Sequence, residues 1–302
     1  MLSCGRQPFN TQLMTSISTI HRALQWLGLI AALFASIACT SISPYDANAL
    51  VKKHQWRSHI IATEQLNFMT FAAPESAHNT AEKALFIYLE GDGHAWASRY
   101  QPSSNPTPLH AIGLGLAIQH QGGKAVYLAR PCQFLTQIYL KNCDVKLWTS
   151  GRYSELAISA THQAVLQLKE QYNAETITLV GYSGGGTLAA FIAAREKSVR
   201  QLITVAAPID HNAWTEFHNV SSLTDSLSIQ PYTAALANIP QIHFSGEQDK
   251  IAPSQLTKQW ATQLTGSFAQ TNVRIVMLAD VNHQCGWVEK WAALSEQYLG
   301  TR

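Results

Sequence analysis

The chain has 302 residues, of which 46% are hydrophobic and 13% are Asp, Glu, Lys or Arg, against a charged share of roughly 25% in an ordinary soluble domain. That balance excludes a disordered, charge-rich interaction protein, and the length suits one large domain or two small ones with a sizeable core. Lys and Arg number 21 against 19 Asp and Glu; Arg6 and Arg22 are the only charged residues before Cys39, so the rest is neutral and lacks the basic stripe of a nucleic-acid binder.

Trp26 to Ala38 reads WLGLIAALFASIA, which fits a signal-peptide h-region and falls short of the roughly 18 residues needed to span a bilayer. His21 and Arg22 precede it, and Met14 offers a second start that would leave a short basic n-region. Ser36-Ile37-Ala38-Cys39 places small residues three and one before a cut, so residues 1–38 read as a signal peptide. A cysteine directly after that cut resembles a bacterial lipobox, although Ser36 stands where Leu is usual. The resemblance implies an acylated Cys39 that anchors the protein to a membrane, facing the periplasm or the exterior. A plain secretory cut at the same bond would give a soluble periplasmic protein. Residues 39–57 read as a tether, followed by one domain over 58–302.

Beyond the leader the cysteines are Cys132, Cys143 and Cys285, in a chain bound for an oxidising compartment. Cys132 and Cys143 enclose a short loop that a disulfide would staple, and Cys285 is left as a single, buried thiol. With no CxxC, no HExxH and no histidines at helical metal spacing, neither a metal nor a cofactor is expected.

Short β-rich runs then alternate with helical periods, the pattern of a mostly parallel sheet with helices on both faces. Ile60 to Ala72 reads as one or two opening strands and Ala84 to Leu89 as a buried strand ending in Glu90-Gly91-Asp92-Gly93. A helix is predicted over 109–121, a strand over 124–129, a long helix over 153–171, and a central strand over 176–180. After a helix over 187–195 come strands at 201–205, 241–244 and 273–278, with helices between the last two and after the final one. Residues 208–238 form one long excursion, a candidate lid carrying Trp214, Phe217 and His218.

Gly181-Tyr182-Ser183-Gly184-Gly185 is a G-x-S-x-G sequence between a β-branched strand and an apolar helix, where a serine on a tight strained turn needs small neighbours. In motifs and element order, residues 60–299 resemble the α/β-hydrolase family, whose nucleophile, acid and base follow one another in that order. The resemblance implies Ser183 as nucleophile, Asp249 in Ser245-Gly246-Glu247-Gln248-Asp249 as acid, and His283 as base. Asp210 and Asp225 are the other acids weighed. It also implies backbone oxyanion donors at Gly184 and, from aligning Glu90-Gly91 with the family's His-Gly, at Asp92; the second donor stays open among Gly91, Asp92 and Gly93. The pairing of an EGDG loop with Arg130-Pro131-Cys132-Gln133 is similar to that of some exported bacterial hydrolase-like proteins. Tyr182, His94 and Arg130 would then line the substrate pocket, with Arg130 equally readable as a structural clamp and Trp148, Arg152 and Tyr153 carrying weaker claims.

These readings imply a serine hydrolase that cleaves an ester, thioester or amide through an acyl-enzyme, with a carboxylic ester favoured. The partner would be a small-molecule or envelope acyl substrate. The alternatives are an envelope lipoprotein reusing the fold as a binding module, and an acyltransferase with the same triad.

Overall fold

Runs of Val, Ile, Leu, Phe and Tyr form the centre of an eight-stranded sheet in the computed structural model, which describes residues 45–74, 83–266 and 272–299. Residues 1–38, read from sequence as a signal peptide, and Cys39 lie outside those residues. The strands are β1 (Arg57–Ala62), β2 (Asn67–Ala72), β3 (Ala84–Leu89), β4 (Lys124–Leu128), β5 (Thr176–Tyr182), β6 (Val199–Val205), β7 (Gln241–Gly246) and β8 (Val273–Leu278). Their order is β1-β2-β4-β3-β5-β6-β7-β8, antiparallel across β1, β2 and β4 and parallel from β4 to β8. Every parallel strand therefore ends on one edge, where ligands bind in open α/β sheets.

Alternation along the strands feeds two cores. Leu85, Ile87 and Leu89 of β3 face α3 (Glu155–Gln171) and α4 (Gly184–Ala193), whereas Phe86 and Tyr88 face α2 (Ile112–Ile118) and α8 (Trp287–Leu299). Trp291 of α8 is fully buried on the second face and donates its indole N–H to the Tyr88 hydroxyl at 2.9 Å.

The expected 39–57 tether does not hold for its second half. Residues 47–53 form α1 (Ala47–Lys53), capped by the Asp46 carboxylate on the Ala49 N–H, with Ala47 and Leu50 buried in the second core. Apolar residues at helical spacing gave that segment a face to bury. The helix predicted over 109–121 is shorter as α2, and the one over 187–195 begins earlier, directly after Ser183. Among the described residues no helix is long and apolar enough to cross a membrane.

Cys132 and Cys143 are joined, with Cα atoms 5.7 Å apart. Cys285, expected to be buried, is half-buried. Closing the 132–143 loop restricts the unfolded chain, so replacing both cysteines with Ala should lower the unfolding free energy by about 3 kcal/mol. Urea titration of the double variant beside the oxidised parent measures this, and equal midpoints would remove the staple from the account.

Candidate active site

The turn from β5 into α4 (Gly184–Ala193) sets the site. Ser183 sits there at φ 49° and ψ −127°, a conformation that L residues avoid and that presents the hydroxyl above the sheet edge. The neighbouring glycines are needed because backbone crosses backbone: a Cβ on Gly181 would lie 2.4 Å from Gly186, and one on Gly185 2.3 Å from the Glu90 carbonyl oxygen.

The Ser183 Oγ is 3.0 Å from His283 Nε2, and His283 Nδ1 is 2.9 Å from Asp249 Oδ2. The other Asp249 oxygen accepts the N–H groups of Ile251 and Ala252, each at 2.8 Å, so the buried carboxylate is fixed by its own loop after β7. The His283 loop is held from two sides. Tyr182 donates its hydroxyl to the His283 carbonyl at 2.9 Å, and the Asn282 side chain accepts the N–H groups of Gln284 and Cys285. Sequence order thus brings Ser183, Asp249 and His283 together from three strand ends. Asp210 and Asp225 are engaged elsewhere: the first caps α5 (His211–Phe217), and the second accepts from Ser150 and lies beside Lys146.

Arg130 does not line the pocket as expected. It is buried, its guanidinium donating to Asp92 Oδ1 at 2.6 Å and to the Arg152 carbonyl at 2.7 Å, because the Asp92 carboxylate draws it under the EGDG loop. Arg152 takes the other Asp92 oxygen at 2.5 Å. Burial pushes the Asp92 carboxyl up, but the positive charges of Arg152 and Arg130 outweigh it and hold it below the ordinary carboxylate range. Gln133 completes the clamp by donating to the Gly91 carbonyl at 3.0 Å. Arg152, given little weight from sequence, is therefore as important to this loop as Arg130; two basic residues near the ends of separate irregular stretches offered no common pattern.

Glu90 is the other residue that sequence reasoning left as part of a turn. Its buried carboxylate accepts the N–H of Gly91 at 2.9 Å, those of Gly113 and Leu114 at the start of α2, and the Tyr127 hydroxyl at 3.1 Å. The Gly91 N–H, one of the three main-chain donors weighed from sequence, is thus already taken.

A cavity of about 340 Å³ opens above Ser183 between the EGDG loop and His283, lined also by His94, Leu109, Tyr182 and Ile251. His94 and Tyr182 thus lie where expected. Trp214 and His218 of the 208–238 excursion both reach the Ile251 carbonyl, at 2.6 and 2.9 Å.

A doubly wound sheet with a serine on a strained strand-to-helix turn is the α/β-hydrolase fold, and the chain has that fold. A family model described as serine hydrolase (FSH1) matches residues 130–275, a stretch that contains Ser183 and Asp249 and ends before His283. Among solved structures, an α/β serine hydrolase homologue from Coxiella burnetii is 16% identical at a TM-score of 0.52, covering 80% of this chain and 94% of its own. An esterase from Pyrococcus furiosus is 14% identical at a TM-score of 0.56, covering 82% of this chain and 92% of its own. An α/β serine hydrolase without a lid from Xanthomonas campestris is 12% identical at a TM-score of 0.52, covering 80% of this chain and 92% of its own. A sequence search of curated proteins found no match.

Desolvation raises the Glu90 carboxyl to about 6, its four donors offsetting only part of the burial. The folded state consequently holds this proton more tightly than the unfolded chain does. Stability from Glu90 is full below the unfolded value near 4.5 and is lost as pH rises through about 6. The loss should be on the order of 2 kcal/mol, and Glu90→Gln should abolish that component. Urea unfolding of parent and variant between pH 4.5 and 7 checks it; parallel pH profiles would contradict the assignment.

Proposed function

We propose that the protein hydrolyses carboxylic esters through a covalent acyl-enzyme on Ser183. The single observation that carries this reading is the continuous hydrogen-bonded line from Ser183 Oγ through the His283 imidazole to Asp249, at the floor of an open cavity. His283 Nε2 takes the hydroxyl proton as Ser183 attacks the substrate carbonyl. Asp249, buried and anchored by two backbone donors, fixes the His283 tautomer and stabilises the imidazolium. The developing oxyanion is received by the main-chain N–H of Gly184 and that of Asp92. Gly184 is the first residue of α4, where a helix leaves N–H groups without an intrahelical acceptor. His283 then passes the proton to the departing alcohol, and water releases the acid by the same route in reverse.

An exported location fits the leader, and it fits the 132–143 disulfide, since such bonds persist in oxidising compartments. Acylation of Cys39 belongs to the same reading and rests on the sequence around the cut.

A fluorophosphonate probe followed by intact mass should add one adduct to the parent and none to Ser183→Ala. With a nitrophenyl ester, Asp249→Asn should retain the fold and lower kcat by on the order of 10⁴-fold. A folded parent that takes no adduct would refute the serine-hydrolase reading.

A further inference from the structure

Ser183, Asp92 and Ile251 line two clefts of very different size. Besides the 340 Å³ cavity that His283 lines, a second space of about 50 Å³ opens at Ser183. The walls of that space include Tyr153, Pro208, His211, Trp214 and Leu223, and His283 is not among them. We infer that the small cleft receives the acyl group and the large one the alcohol, making the protein selective for short-chain acyl esters of bulky alcohols. This inference rests on the hydrolase reading and adds the substrate class to it.

The assignment of sides follows from proton transfer. The imidazole that removes the Ser183 proton must deliver it to the leaving oxygen, so the alcohol has to remain beside His283 while the acyl group stays bonded to Ser183. In the acylation step the Ser183 Oγ–acyl bond forms, the acyl–oxygen bond to the alcohol breaks, and the Ser183 proton leaves with the alcohol. Water then attacks, the Oγ–acyl bond breaks, and the short carboxylic acid departs with the serine reprotonated. Of the two clefts, only the large one brings a ligand to His283.

Size and stiffness set the limit. One water-sized position needs about 10–15 Å³ on this measure, so the small cleft holds about four such positions, enough for acetyl to butyryl and too little for octanoyl. The 340 Å³ cavity lies at the lower end of ordinary ligand sites, roughly 300–1,000 Å³. The small cleft is closed by groups that are themselves tied down. His211 stacks on Tyr153 with ring centroids 5.1 Å apart and bonds the Leu227 carbonyl at 2.7 Å, while Trp214 is fastened to Ile251. Leu223 is buried against the same wall. The 208–238 excursion therefore acts as a fixed end wall that measures chain length.

The experiment is a series of kcat/KM values with nitrophenyl acetate, butanoate, octanoate and dodecanoate, run beside fluorophosphonate labelling of Ser183. The parent should fall by about tenfold or more between butanoate and octanoate. Leu223→Ala, and independently Trp214→Ala in case the first variant folds poorly, should raise the octanoate-to-butanoate ratio by about tenfold. A labelled Ser183 that turns over octanoate as well as butanoate, that turns over none of the esters, or whose ratio is unmoved in both folded variants overturns the short-acyl assignment while the nucleophile stands. An unlabelled Ser183 overturns both.

Discussion

The close crossing of the Ser183 turn over the backbone at Glu90 is the constraint on which the site depends. A Cβ on Gly185 would stand 2.3 Å from the Glu90 carbonyl oxygen, and one on Gly184 2.0 Å from Asp92 Oδ1. The EGDG loop is thus pressed against Ser183, and both of its acidic residues lose much of their contact with water. Burying a carboxylate is costly unless it is paired or hydrogen-bonded. Glu90 is satisfied by three backbone N–H groups and a tyrosine hydroxyl, Asp92 by two guanidinium groups. The arginines come from the segments after β4 and before α3, so a turn of a few residues dictates the placement of two distant loops. The 132–143 disulfide lies between those arginines in sequence and shortens the path joining them.

This dependence explains which parts of the molecule were legible from sequence. The strand at 84–89 coincides with β3 because a buried parallel strand is a continuous apolar run with polar ends, and the one at 273–278 coincides with β8, a half-buried edge strand, because its Val and Ile residues favour extended backbone. Ser183, Asp249 and His283 were legible because each follows a strand in the order the family keeps, and strand ends on one sheet edge are near one another in space. Arg130 was harder, since a strand-end arginine can face a pocket or a carboxylate and the choice depends on where Asp92 points. Glu90 and Arg152 were illegible in these roles, as their partners are backbone groups and side chains tens of residues away. The helix at 47–53 was missed because seven residues with two buried positions make a weak period, and its stability comes from packing on the second core.

Two further ties keep the Asp249 and His283 loops in register. β7 and β8 run parallel from Gln241↔Val273 to Gly246↔Leu278, and past them the Glu247 and Gln248 N–H groups donate to the Leu278 and Val281 carbonyls. The Asp249 and His283 loops therefore leave the sheet already joined. Tyr182, one residue before the nucleophile, reaches the His283 carbonyl and links that pair to the elbow. The distances from Ser183 to His283 and on to Asp249 are consequently set by main-chain geometry more than by side-chain freedom, which is what preorganisation of a charge-developing site requires.

An acidic side chain at the position that would donate to an oxyanion looks unfavourable, since negative charge beside developing negative charge raises the barrier. The ion pairs reverse that argument. One carboxylate between two guanidinium groups leaves the Asp92 cluster with a net positive charge, and Arg130 is further held over the Tyr153 ring at 5.1 Å. The guanidinium pair also fixes the peptide carrying the Asp92 N–H, so the side chain acts as a strut for its own backbone. A histidine or glycine at that position would avoid the repulsion without supplying the strut. The EGDG loop therefore achieves with charge and two distant arginines what a small-residue loop achieves by shape.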